Sequence, residues 1–172
     1  NLLINVGSAW RAPAPNELFS NGIHQGVSSI EVGDANLKKE TCYNIIATAI
    51  YNSKKIKTEL TLYHNQFQNF IYLNPSGTTN LTIRGAFPVF NYTQANVRIS
   101  GLDFKAECVA TNYVSIIVKA MFVRAKNYSI NDYLIYMPGD RGDLQFKFKL
   151  PSMNKVTNLY IQLNNSFVAK QW

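Results

Sequence analysis

Apolar and polar residues alternate along most of this chain. In the stretch SGLDFKAECVA, residues Leu102, Phe104, Ala106, Cys108 and Ala110 fall on one face, and Asp103, Lys105 and Glu107 on the other. The stretch DLQFKFKL repeats the pattern, with Leu144, Phe146, Phe148 and Leu150 set against Gln145, Lys147 and Lys149. A period of two is the mark of a strand with one apolar and one polar face. Carried along the chain, it predicts about eight strands, over 2–10, 40–52, 56–73, 86–94, 97–111, 113–126, 142–150 and 157–170. Many are rich in β-branched and aromatic residues, which suit a pleated surface. No segment shows a 3.6-residue period with caps, so the expected class is all-β.

The connections are uneven. Tight turns are expected at 52–55, 111–113 and 151–156, and long connections at 11–39, 74–85 and 126–141. Short and long links therefore alternate, as they do in an up-and-down meander whose short turns gather at one end and long loops at the other, the build of an outer-membrane barrel. Strand length agrees. A membrane strand needs about 9–11 residues, against about 5–6 in a typical soluble strand, and 56–73, 97–111 and 113–126 reach the longer figure. The apolar face would be core in a soluble β-sandwich, acting as a secreted binding or adhesion module, and would meet lipid in a barrel. Periodicity does not separate the two.

Composition narrows the field. Hydrophobic residues make up 47% and charged residues 16% of the 172 positions, the latter well under the usual quarter of a soluble domain. The chain is globular or membrane-embedded, not disordered. No run of 18 apolar residues exists, so no transmembrane helix is readable, which says nothing of a barrel. No signal peptide is readable either. The chain starts inside a predicted strand and stops without a tail, and reads as a piece of a longer protein. The +7 net charge comes from scattered Lys and Arg. Without a basic helix or an RNA-binding aromatic motif, it fits solubility and wall charge better than nucleic acid. Cys42 and Cys108 lie in predicted strands with no CxxC pair, which argues against a zinc ribbon or a redox motif and leaves their pairing open. There is no internal repeat, Walker loop, dinucleotide fingerprint, Gly-x-Ser-x-Gly or HExxH. No enzyme and no cofactor are expected.

Several stretches, in order, resemble the barrel of a TonB-dependent outer-membrane receptor. The first runs WRAPAPNELFSNGIHQG, with the aromatic–Arg–Ala–Pro start at Trp10–Pro13, Glu17–Leu18, and a Gly/His stretch at Asn21–Gly26. A Glu–x–Gly–x–x–x–Leu–x–x–Glu segment follows from Glu31 to Glu40. Downstream, LTLYHNQFQNFIYL resembles the family's strand before a long loop. FPVFNYTQANVRISGLDFKAE resembles its Tyr–x–Gln–Ala…Gly–x–Glu hairpin entry, with Asp103 where Glu is more usual, and LIYMPGDRGDLQFKF its Pro–x–x–Arg strand entry. The wording is closest to the branch that takes up zinc, iron chelates and other metal chelates.

The resemblance implies a fragment of about eight strands from a transmembrane barrel of about 22. Residues 1–172 would be barrel alone, with the plug domain and C-terminal strands absent. It implies the outer membrane of a Gram-negative-type bacterium. The implied activity is energy-coupled uptake of a scarce metal, siderophore, haem or similar ligand. The implied partners are a TonB-type coupling complex acting through the plug, a small-molecule or metal-chelate ligand, and outer-membrane lipid, with no nucleic acid. The segments 74–85 and 126–141 would be extracellular, ligand-capturing loops, as would the 11–39 loop.

Within that loop His24 is the sharpest candidate, because imidazole is a common metal ligand. Glu17 and Glu31, with Asp34, could assist, though a metal site needs about three or four donors and none here has diagnostic spacing. His64 shares a face with Leu60 and Leu62, which suits packing better than ligation. Arg11, Pro13, Glu17 and Leu18 suit a structural loop entry, since proline ends a strand ladder. Asp103, Lys105 and Glu107 form a charged stripe that reads as a hydrated lumen wall rather than an acid–base pair. The RGD at 141–143 and the glycosylation-type triplets at 80–82 and 91–93 read as incidental.

Overall fold

A computed structural model describes residues 1–151 and 157–171. The expected turn at 151–156 lies, apart from Pro151, outside the described residues. The chain forms strands β1 (Leu2–Arg11), β2 (Asn21–His24), β3 (Ser29–Val32), β4 (Glu40–Asn52), β5 (Ile56–Thr82), β6 (Gly85–Val109), β7 (Val114–Asn127), β8 (Asp132–Tyr133), β9 (Arg141–Lys149) and β10 (Tyr160–Val168). All ten belong to one sheet, whose main path runs β1-β4-β5-β6-β7-β9-β10 with every neighbour antiparallel. This is the expected all-β meander, an open piece of a barrel.

Three expectations need correction. The spans 86–94 and 97–111 are one strand, β6. The segment 74–85 is not a long loop: β5 and β6 continue through it as a hairpin closed at Ile83–Arg84. A helix also exists, α1 (Pro15–Phe19), with proline at its start and Glu17 in its first turn. The tight turns at 52–55 and 111–113 stand as expected, closed by Ser53 N–H to Ile56 O at 2.8 Å and Thr111 N–H to Val114 O at 3.1 Å.

Register turns the alternation into two continuous faces. One row runs Ile4–Ala47–Leu62–Leu102–Phe122, and the next Leu2–Ala49–Leu60–Phe104–Ala120. Between them, on the opposite face, lies Leu3–Thr48–Thr61–Asp103–Met121–Arg141. Thr48 and Thr61 are hydrogen-bonded across it at 3.0 Å. Leu102, Phe104, Leu144, Phe146 and Phe148 are all less than fully buried, and no second sheet covers them among the described residues. A sandwich would bury those side chains against a facing sheet; the described residues form a single open sheet. Cys42 belongs to the polar face and Cys108 to the apolar one, and both are free thiols.

The small core sits at the long-loop end. Val97, Ala95 and Ala125 are buried there with Leu134, and Phe67, Phe70, Tyr72, Ile99 and Met137 pack against them. Leu134 and Met137 come from the segment after β7, anchored by β8 pairing with β7 and by Leu134 N–H to Ala125 O at 2.9 Å. The bidentate Arg124–Asp140 pair, 2.6 and 2.7 Å, ties down its far end. Lower on the wall Gly101 faces Tyr63, whose hydroxyl lies 2.2 Å from where a Cβ would stand. The ring occupies the space glycine leaves, which explains a glycine in mid-strand.

Candidate functional site

The segment from Arg11 to Lys39 is folded down onto the wall rather than free. Leaving β1, the chain forms α1, then the β2–β3 hairpin, and β3 pairs in parallel with β6 at Ile30–Val89, Glu31–Phe90 and Val32–Asn91. Since β4 and β5 lie between β1 and β6, the loop crosses two strands and returns to β4. It lands on β6 within the expected strand 86–94, whose β5 partners there, Asn74 and Pro75, belong to the segment expected as loop.

Charge neutralisation fixes the entry. Arg11 bonds Glu17 Oε2 at 2.8 Å and Glu40 Oε2 at 3.2 Å. Glu17 Oε2 also accepts the Ala14 amide at 2.7 Å, which starts α1. Glu40 is buried and accepts the Ile71 amide of β5 at 2.9 Å. Burial alone would raise the Glu17 carboxyl, but the hydrogen bond from Arg11, the Ala14 amide and the Arg11 charge outweigh it and hold it below the ordinary value. Glycine is required at position 33, where a Cβ would stand 2.6 Å from the backbone of Leu18 and Phe19. That close approach lets Gly33 N–H reach Ser20 O at 2.7 Å and Asp34 N–H reach Glu17 O at 3.0 Å. Further along, Gln94 bonds the Lys38 amide at 2.8 Å and the carbonyls of Lys38 and Asn69 at 2.6 and 2.9 Å. Glu31, Gly33 and Glu40 of the Glu–x–Gly–x–x–x–Leu–x–x–Glu stretch thus each hold the loop in place.

The exposed part of the loop carries the candidate binding group. His24 Nδ1 lies 2.7 Å from Glu31 Oε1, and Tyr92 O–H donates to Glu31 Oε2 at 2.9 Å. Asn16 in turn donates to the Tyr92 oxygen at 3.1 Å. Burial and the Glu31 carboxylate push the Tyr92 phenol above its ordinary value. The Glu31 side chain is 10% exposed and the His24 side chain 57%, so the carboxylate is spoken for while the ring stands open. A carboxylate only accepts, so the neutral ring carries its proton on Nδ1 and its lone pair on Nε2, the arrangement that orients a metal-ligating histidine. A depression of about 490 Å³ adjoins it, lined by Asn16, Ser20, Asn21, Gly22, Ile23 and the pair itself.

The sequence-derived candidates therefore separate. His24 and Glu31 meet; Glu17 is engaged with Arg11 instead; Asp34 Oδ1 accepts the Asn36 amide at 2.8 Å. Among the described residues no three His, Cys, Asp or Glu side chains converge as a metal site. His64 bonds Ser100 at 2.7 Å. Arg141 and Asp143 of the RGD triplet pair with each other at 3.1 Å. Sequence reasoning missed Tyr92, Asn16 and Gln94, and gave Glu40 no role beyond its place in the motif; the Tyr–x–Gln spacing at 92–94 was the available signal.

A second polar site lies on the wall. Register sets Glu59, Lys105, Lys119 and Asp143 side by side on four strands, next to Thr61, Asp103, Met121 and Arg141. They line a shallow depression of about 530 Å³. Glu107 continues the stripe toward the tight turns, opposite Lys57 and Ile117.

Comparison with known proteins bears on the fold and the family. The family model described as "TonB dependent receptor-like, beta-barrel" matches residues 1–165. Among solved structures, the copper transporter OprC aligns with TM-score 0.69 at 20% identity, over 86% of this chain and 21% of that one. A mutant of the ferric enterobactin receptor PfeA from Pseudomonas aeruginosa aligns with TM-score 0.63 at 18% identity, over 94% and 24%. The siderophore receptor PirA from Acinetobacter baumannii aligns with TM-score 0.60 at 14% identity, over 87% and 24%. The chain spans about a quarter of the length of these structures or less.

Proposed function

We propose a function from the premise that this chain belongs to the TonB-dependent receptor family, as part of its β-barrel. The full-length protein takes up a scarce metal, a siderophore, haem or a similar chelate across the outer membrane of a Gram-negative-type bacterium. This segment supplies wall and ligand-capturing loop; its chemistry is binding and gated passage, not catalysis. The apolar rows through Leu62 and Leu102 meet lipid. The row through Asp103 and Lys105, continued by Glu107, lines the hydrated lumen and faces a plug domain or the passing ligand. A TonB-type complex acting through that plug supplies the energy.

The observation that carries this reading is the His24–Glu31 pair, held open on a loop welded to the wall at the end opposite the tight turns. His24 Nε2 offers one donor to a metal or metal chelate, Glu31 fixes the ring, and Glu17 acts indirectly, by positioning the loop entry. Further donors come from the ligand or from elsewhere in the receptor, since a metal site needs about three or four.

Two variants of the full-length receptor test it. Deleting 11–39 should abolish uptake of a radiolabelled metal chelate while the barrel still inserts. His24→Ala should weaken chelate binding with the loop intact. Unchanged uptake on deletion would remove the loop from ligand capture.

A further inference from the structure

The wall carries a feature the uptake reading leaves unused. Arg98 of β6 and Lys126 of β7 are direct cross-strand partners. Directly opposed like charges destabilise a sheet. Here both cations also share one ring, Tyr128, with the Arg98 guanidinium 4.5 Å and the Lys126 ammonium 5.4 Å from its centroid. Arg98 is fixed further by donating to Gln66 Oε1 at 2.5 Å and to the Tyr128 oxygen at 3.2 Å. Neither cation has a carboxylate within ion-pair distance among the described residues. Arg124, two positions below Lys126, is by contrast closed by Asp140. The pair is therefore pre-formed, rigid and two charges in excess.

Its height on the wall names the partner. Arg98 follows the apolar positions Cys108, Ala106, Phe104 and Leu102 on the same face. Ten residues of strand span about 34 Å at about 3.4 Å each, and a tilt of about 35–45° reduces that to about 25 Å of height, the thickness of the lipid-facing band of such barrels. Arg98 and Lys126 thus stand at the upper rim of the band. The same register row continues through Gln66 to Tyr43 and, on the other side, from Lys126 to Tyr133. Tyr43, Tyr128 and Tyr133 are all exposed, as in the aromatic girdle at a bilayer surface.

We propose that Arg98, Lys126 and Tyr128 form a docking site on the outside of the wall for the phosphate of a lipid headgroup in the outer leaflet. Two cations held on one ring match a phosphomonoester, which accepts from the Arg98 guanidinium and the Lys126 ammonium while Tyr128 holds the two cations in place. The site rests on the reading that the apolar face meets lipid.

The test is native mass spectrometry of the full-length receptor in detergent, with diphosphorylated lipid A, the same lipid dephosphorylated, and inorganic phosphate as probes. Wild type should retain the phosphorylated lipid at least tenfold better than the dephosphorylated one. The double variant R98Q/K126Q should lose that preference while keeping a heat-modifiable barrel band. Equal retention of the two lipids by wild type, an undiminished preference in the double variant, or occupancy by inorganic phosphate with no lipid would overturn the site. If the variant does not fold, the wild-type comparison still decides. Release from membranes without detergent would instead overturn the barrel reading itself.

Discussion

Adding one methyl group at Gly33 should free the loop without touching the wall. In Gly33→Ala the new Cβ would stand 2.6 Å from Leu18 C and Phe19 N, where carbon contacts settle at about 3.5–4.0 Å. The obstacle is backbone on both sides, so α1 has to move about 1 Å away from the end of β3. Overpacking of this kind costs about 1–3 kcal/mol. The Gly33-to-Ser20 and Asp34-to-Glu17 hydrogen bonds stretch or break, at about 0.5–1.5 kcal/mol each. Alanine's smaller unfolded-state entropy offsets about 0.4–1 kcal/mol. The net spans about 1–6 kcal/mol, with a midpoint of about 3 kcal/mol, or roughly 100-fold at about 1.4 kcal/mol per tenfold. Hydrogen exchange on the full-length receptor should show that acceleration at the amides of residues 33 and 34, with those of Leu102–Glu107 unchanged. Unaltered exchange at 33 and 34 would refute the close-packed loop.

Two further outcomes follow from the same contacts. Glu40→Ala strands the Ile71 amide and removes one of the two carboxylates on Arg11, so it should cost about 1–3 kcal/mol, read as faster exchange at Ile71. Acid should loosen the loop entry in one direction only: because Glu17 titrates below its ordinary value in the fold, its contribution is complete above about pH 4.3 and is lost as pH falls through the depressed value. Exchange at Leu18 and Asp34 followed from neutral pH downward, corrected for intrinsic rates, should be flat and then rise. Protection lost on going to higher pH would have the wrong sign.

The wall was legible because its alternation is strict; the two-residue period of Leu102–Cys108 or Leu144–Phe148 has no other stable use. The segment 74–85 was not, because Asn74, Pro75 and Gly77 are turn formers. In the fold they mark an irregularity instead: register shifts between Pro75 and Thr79, with Gly77 at φ 76°, and the strand resumes beyond it. Helix α1 is five residues, too short for any periodicity, though Pro15 at its first position is a readable start signal. The parallel pairing of β3 with β6 joins residues about sixty positions apart, and no local pattern encodes it. For the same reason His24 and Glu31 could be nominated from sequence, while the Tyr–x–Gln spacing flags Tyr92 without saying that it holds Glu31 from across that pairing.

The most direct test of the barrel wall is a nitroxide scan of positions 102–107 in the full-length receptor, reconstituted in bilayers with Cys42 and Cys108 replaced by serine. Labels at 102, 104 and 106 should be relaxed by oxygen dissolved in lipid, and those at 103, 105 and 107 by a water-soluble paramagnet. A period of two out of phase with this one, or uniform access by the aqueous reagent, would contradict a wall with lipid on one side and a hydrated lumen on the other.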